Sequence, residues 1–326
     1  MTAMKNNERW LIAAWPGMGQ VATTAAIYLL SKLRMHQLAE FPGRGLFELE
    51  SVEVHDGLVQ AARLPRSRLF LWRNPDGGRD LIVFLGEAQP STGKLALCEW
   101  LLAEGRSLGV TRFFTFSAIT TDMKPSSASR TFAVASDPGS LQELKSLEVA
   151  ILSEGNISGL NGVALAAAAE AGVPAMGILG EMPSLASQLP YPSASAAVLR
   201  TFTSLAELEL DLTELEEYGR SMQEQLSTLY EQIVRALQDA SSGEPPAPPA
   251  EPAEPPPPDP RPAPQLPPSR EQMLGDEDSE RIEGLFLRAR LDRSTAFELK
   301  KELERLGVFA RYEDRFLDLF EHGHGP

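Results

Sequence analysis

The sequence predicts an α/β chain: a three-layer α/β/α sandwich with a mainly parallel sheet, then a Pro-rich linker and a C-terminal helical module. Three observations carry this. Residues 149–152 are a short apolar run, and a glycine- and serine-rich turn follows. An alanine-rich stretch at 163–171, closed by Gly172 and Pro174, then leads to a second apolar run at 175–179. Strand, turn, helix and strand in that order read as a βαβ unit with parallel pairing. Near the N-terminus, residues 10–15 are apolar, Pro16-Gly17-Met18-Gly19 turns the chain, and Val21, Ala25, Tyr28, Leu29 and Leu33 mark one buried helix face. Beyond residue 209 the alternation of strands and helices stops. The boundaries are 1–209 for the α/β domain, 210–240 for an amphipathic helix, 241–268 for a disordered linker and 269–326 for the helical module.

Composition narrows the function classes. With 326 residues and 43% hydrophobic side chains, the chain can fill one large core and a smaller one. A net charge of −15, from 45 acidic against 30 basic residues, argues against nucleic acid or an anionic membrane as partner. The single cysteine, Cys98, excludes an internal disulfide and reads as core filler in a reducing compartment. A polar start and an apolar stretch broken by Pro16 fit neither a signal sequence nor a membrane span. The expected location is therefore cytoplasmic.

Taken in order, residues 37–41 should be extended, and 52–54 and 58–60 alternate like edge strands. Residues 69–73 and 80–85 flank Asn74-Pro75-Asp76-Gly77-Gly78, a hairpin signal. Residues 93–108 have helical spacing, 112–117 form a strand, 123–136 read as irregular, and 141–147 as a short helix before the central unit. Leu215, Gly219, Met222, Leu226, Leu229, Ile233 and Ala236 then repeat at intervals of four and three. That seam packs either on its own domain or between subunits, with Leu215, Met222, Leu226, Leu229 and Ile233 as candidate oligomer contacts. The proline-dominated stretch 241–268 cannot bury a core. Three short amphipathic helices follow, the second capped by Ser294. So small a unit is expected to dock on a partner or another subunit.

Chemistry-bearing residues cluster at one expected edge of the sheet. Glu87, Glu154 and Glu181 each follow an apolar strand, where parallel α/β sheets form ligand crevices. Asn156, Ser158 and Asn161 belong to the adjoining loop, and Gly17 and Gly19 present backbone N–H groups at a helix start. These eight residues form a candidate pocket. The competing reading is structural, with glutamates capping backbone groups and glycines making turns. Gly17-x-Gly19-x-x-Ala22, with Glu40 ending the next strand, mimics a dinucleotide fingerprint, but Pro16 counts against it. His36 and His55 are isolated, and no ligand spacing joins them to His322 and His324. Neither Ser153 nor Ser158 has an evident base. The sequence assigns no catalytic residue, metal or cofactor.

Three stretches also carry a family likeness: 14–19 (Ala-Trp-Pro-Gly-Met-Gly), 84–90 (Phe-Leu-Gly-Glu-Ala-Gln-Pro), and 159–162 with 177–183 (Gly-Leu-Asn-Gly; Gly-Ile-Leu-Gly-Glu-Met-Pro). In order and spacing over residues 8–240 they resemble the proteasome-assembly-chaperone-type family. The resemblance implies a fold like the nucleoside phosphorylases and a noncatalytic assembly chaperone or scaffold, acting through protein contacts as a homo-oligomer. Some members of that family dock on the proteasome through a C-terminal hydrophobic-Tyr-any tripeptide. This sequence ends His322-Gly323-His324-Gly325-Pro326, which argues against a proteasomal client and leaves the protein partner unknown. The rival expectation is a small-molecule enzyme, an ATP-grasp-like ligase or nucleoside-phosphorylase-like, using the crevice at the sheet edge.

Overall fold

A computed structural model describes residues 8–41, 43, 45–48, 52, 54–55, 57–60, 64–147, 149–242 and 274–321. Apolar runs bounded by turn formers give the strands, and stretches of helical period give the helices. In chain order these are β1 (Glu8–Ala14), α1 (Val21–Lys32), β2 (His36–Phe41), β3 (Val54–His55), β4 (Leu58–Val59), β5 (Ser67–Trp72) and β6 (Arg79–Gly86). Next come α2 (Lys94–Ser107), β7 (Val110–Thr121), β8 (Thr131–Ala135), α3 (Pro138–Lys145), β9 (Ala150–Ile151), α4 (Gly159–Glu170) and β10 (Ala175–Pro183). Five helices end the described chain: α5 (Pro192–Ala206), α6 (Thr213–Ser242), α7 (Asp276–Leu291), α8 (Ala296–Arg305) and α9 (Phe309–Leu317).

The main sheet has eight strands in the order β2-β5-β6-β1-β7-β10-β8-β9. Its centre is parallel, β6 with β1, β1 with β7 and β7 with β10, whereas β2–β5, β5–β6 and β10–β8 are antiparallel. One face packs against α1 and α5 through Trp10, Ile12, Phe114, Phe116 and Phe202. The other packs against α2 and α4 through Leu11, Phe84, Phe113, Leu101 and Leu160. This is the three-layer α/β arrangement. The hairpin β5–β6 forms as its turn sequence requires.

Three expectations need correction. β9 does not pair with β10 across α4. It lies at the outer edge, parallel to β8, which itself runs antiparallel to β10, so residues 149–183 are not a parallel βαβ unit. Residues 131–135, within the stretch read as irregular, form β8 and fill the place expected for β9, because β8 offers five residues of ladder where β9 has two. β3 and β4 form a ladder of their own outside the main sheet.

The C-terminal helices seat on the α/β domain itself. α1 is the central element of this contact: ten of its twelve residues are buried, because α5 and the sheet cover one side and α8 the other. The Phe297 ring stands edge-on to Tyr28 at 4.7 Å, and Phe320 meets Phe70 at 6.2 Å. Ser31 donates to the carbonyl of Arg293 at 2.9 Å, and the buried Lys300 ammonium donates to Thr24 at 3.2 Å. The turn before α8 is held by Asp292, whose carboxylate accepts from the Ser294 N–H, rather than by a Ser294 cap. The Pro-rich stretch and the terminal histidines lie outside the described residues.

Candidate functional site

A cavity of about 370 Å³ opens at the C-terminal edge of the parallel strands. Its walls are Trp15, Gly17 and Met18 after β1, Gln89 after β6, residues 117–120 of β7, Leu179 of β10 and residues 156–159 and 161 at the start of α4. This is where parallel strands end and their connections separate, which leaves room for a ligand. Gln89 ties two of those connections together. Its amide N–H donates to the Pro16 carbonyl at 2.8 Å, and its oxygen accepts from the Leu160 N–H at 3.1 Å. Glycine is required at two points beside it. Gly159 has φ +71°, and a β-carbon on Gly162 would lie 1.8 Å from the Ile157 carbonyl oxygen.

Four of the eight residues expected in a pocket line this cavity: Gly17, Asn156, Ser158 and Asn161. Gly19 does not. At φ +61° it carries the turn onto the α5 side, where a side chain would meet Met182 and Tyr191. Its N–H donates to the Ser187 carbonyl and its carbonyl accepts from the Tyr191 N–H. Its role is a turn.

The three glutamates separate. Glu87, just past β6, is not part of the cavity wall; it accepts from the Arg66 N–H at 3.0 Å and lies 3.9 Å from the Arg68 guanidinium. Glu181 is buried and accepts from Arg130 at 2.7 Å through both oxygens and from Thr121 at 2.8 Å. The Arg130 hydrogen bonds hold the Glu181 carboxyl below the usual carboxylate range, against the opposing effect of burial. Glu154 is exposed on the loop before α4 and is not part of the cavity wall. Glu40 meets Arg66 and Arg68 at 2.9 and 3.0 Å, on a strand three places from β1, so the glycine turn and this acid do not form a dinucleotide site.

The wall is thus neutral: among the described residues lining it there is no charged side chain. It has hydroxyls and amides, with Asn161 contributing a buried Oδ1 without a hydrogen-bond partner. Trp15 and Gln89 belong to two of the stretches that carry the family likeness but were not expected in the pocket, and neither were residues 117–120. A signal within those stretches was Gln89, a side chain with both a donor and an acceptor three residues after β6. Among the described residues no cluster of three His, Cys, Asp or Glu side chains could hold a metal ion, and no helix is long and apolar enough to cross a membrane.

Residues 11–230 match the PAC2 family, about two thirds of the chain. The chain belongs to the PAC2 family. Solved structures similar to it include an archaeal proteasome activator from Pyrococcus furiosus, 24% identical with a TM-score of 0.57, covering 71% of this chain and 94% of that one. A proteasome-assembly chaperone homologue from Mycobacterium tuberculosis is 21% identical with a TM-score of 0.59, covering 67% and 94%. A PAC2 family protein from Streptomyces avermitilis is 26% identical with a TM-score of 0.59, covering 68% and 96%. The PAC2 match ends within α6, so α7 to α9 lie beyond it.

In α6 the five candidate contacts divide. Leu215 and Leu226 are buried, Met222 is half-buried, and Leu229 and Ile233 are 47% and 48% exposed. Gly219 marks the crossing with α5, where a β-carbon would stand 2.6 Å from the Ser193 hydroxyl.

Proposed function

We propose that this PAC2 protein is a noncatalytic assembly chaperone or scaffold of the cytoplasm, acting through protein surfaces. The observation that carries this reading is the neutral crevice. Where an α/β enzyme would place its acid and base, Glu87 and Glu181 are instead neutralised by arginines within the fold. Similarity to an archaeal proteasome activator and to a proteasome-assembly chaperone homologue supports a protein complex as the client class.

Cross-linking of the full chain in its native host, read by mass spectrometry, tests this. The expected result is a set of cross-links from α6 and the C-terminal helices to the subunits of one defined complex. Saturable stabilisation by a metabolite, abolished in Asn161→Leu, would overturn the reading in favour of a small-molecule enzyme. The unpartnered Asn161 oxygen in the cavity wall is the observation behind that second reading.

A further inference from the structure

The crevice at the sheet edge already holds one neutral carboxamide, that of Gln89. Its N–H donates to the Pro16 carbonyl and its oxygen accepts from the Leu160 N–H, so a single amide spans the connections after β1 and before α4. The same wall keeps a second pair of groups unused. The buried Oδ1 of Asn161 has no donor, and the buried indole N–H of Trp15 has no acceptor. Buried polar groups in native proteins are nearly all paired. An orphaned acceptor and an orphaned donor in one wall therefore call for an occupant that brings the converse two groups.

Size and charge narrow that occupant. A volume of about 370 Å³ falls within the range of about 300–1,000 Å³ usual for ligand sites. No charged side chain lines it, and Trp15, Met18, Ile119 and Leu179 make part of the wall apolar. A phosphate, carboxylate or ammonium would enter with its charge unpaired, at a cost that a neutral group does not meet. A carboxamide carries both missing groups, an N–H for Asn161 and a C=O for Trp15, without charge.

We infer that the crevice binds an uncharged amide of a protein partner, the side chain of an Asn or Gln presented by a segment of the client. The rim favours a peptide over a free amide. Met18, Asn156 and Ser158 are exposed beside the cavity, where they meet the apolar and backbone groups on either side of such a side chain. The inference rests on the protein-surface reading and deepens it by naming the chemical group of the client that is recognised.

NMR titration of the labelled full chain tests it. The chain has four tryptophans, and Trp15→Phe identifies the Trp15 indole N–H signal. Acetyl-Gly-Gln-Gly-amide should shift that signal saturably. The same peptide with Glu in place of Gln should bind about tenfold more weakly or worse, because its carboxylate is unpaired and has no N–H for Asn161. Asn161→Leu should weaken the Gln peptide by about tenfold or more. Its melting should match that of the wild type, since the Asn161 side chain has no hydrogen bond within the fold to lose. No saturable shift at millimolar peptide, equal binding of the Glu peptide, or undiminished binding by Asn161→Leu would overturn the inference. Propionamide binding as tightly as the peptide would also overturn it, in favour of a free small molecule. A complex captured equally well by Asn161→Leu would leave the chaperone reading standing, with the client held elsewhere, and sink the amide site. Gln-peptide binding without any complex captured in the host would do the reverse.

Discussion

Replacing Gly162 by Ala should destabilise the protein while replacing Gly17 by Ala should not, although both glycines belong to the same edge of the sheet. An ideal β-carbon on Gly162 would lie 1.8 Å from the Ile157 carbonyl oxygen and 2.8 Å from its carbon. The obstacle is backbone, which cannot rotate aside, so the loop before α4 must move by more than an ångström. Overpacking of this kind costs about 1–3 kcal/mol, and a rigid neighbour places it near the top of that range. Relief of the helix glycine penalty returns about 1 kcal/mol. The net loss is about 2 kcal/mol, or about 4–8 °C in a domain of this size. At Gly17 no heavy atom lies within 4 Å of the added carbon, and φ of −166° is extended backbone open to any residue. Its change should stay within about 0.5 kcal/mol. Thermal melts of the two variants beside Glu154→Gln, an exposed side chain, decide the matter. Equal melting of all three would refute the claim that the 157–162 junction is a rigid wall of the cavity.

Phe297→Ala removes a fully buried ring set against Tyr28 and should cost about 3–5 kcal/mol in a single denaturant transition, since the C-terminal helices and the sheet face share one cluster. Two separate transitions would contradict that sharing. The contact should also be acid-sensitive. Burial pushes the Glu214 carboxyl up, but hydrogen bonds from Lys32 and Lys301 outweigh it and hold it below its usual value. Glu40 is likewise raised by burial but held low by Arg68 and Arg66. Folded values below the unfolded value of about 4.3 mean that the unfolded chain binds more protons in acid. The stabilisation is complete above that value and is lost as pH falls through the folded one. Urea midpoints from pH 6 down to about 3 should therefore fall less steeply for Glu214→Gln than for wild type. Parallel curves would show that the ion pairs do not hold the module.

Local pattern alone determined much of this protein. The apolar runs of β1, β6, β7 and β10, the turn glycines and the α6 seam are periodic features of neighbouring residues, and they can be recognised without knowing what packs against them. The three motif stretches that indicated the family converge in space, because two of them end in loops at the same sheet edge and Gln89 ties those loops together. What the tertiary structure decided was every pairing between distant residues. β8 displaced β9 from the side of β10 because a longer ladder satisfies more backbone groups. Glu87 and Glu181 left the pocket because Arg68 and Arg130, on other strands and loops, come within reach only after folding. The C-terminal helices found their seat on α1 because its outer face presents Tyr28, Ser31 and Thr24 to them, a match between segments more than 250 residues apart. Periodicity records which face of an element is apolar. It carries no information about which other face will cover it, since burial free energy depends on area and not on sequence distance.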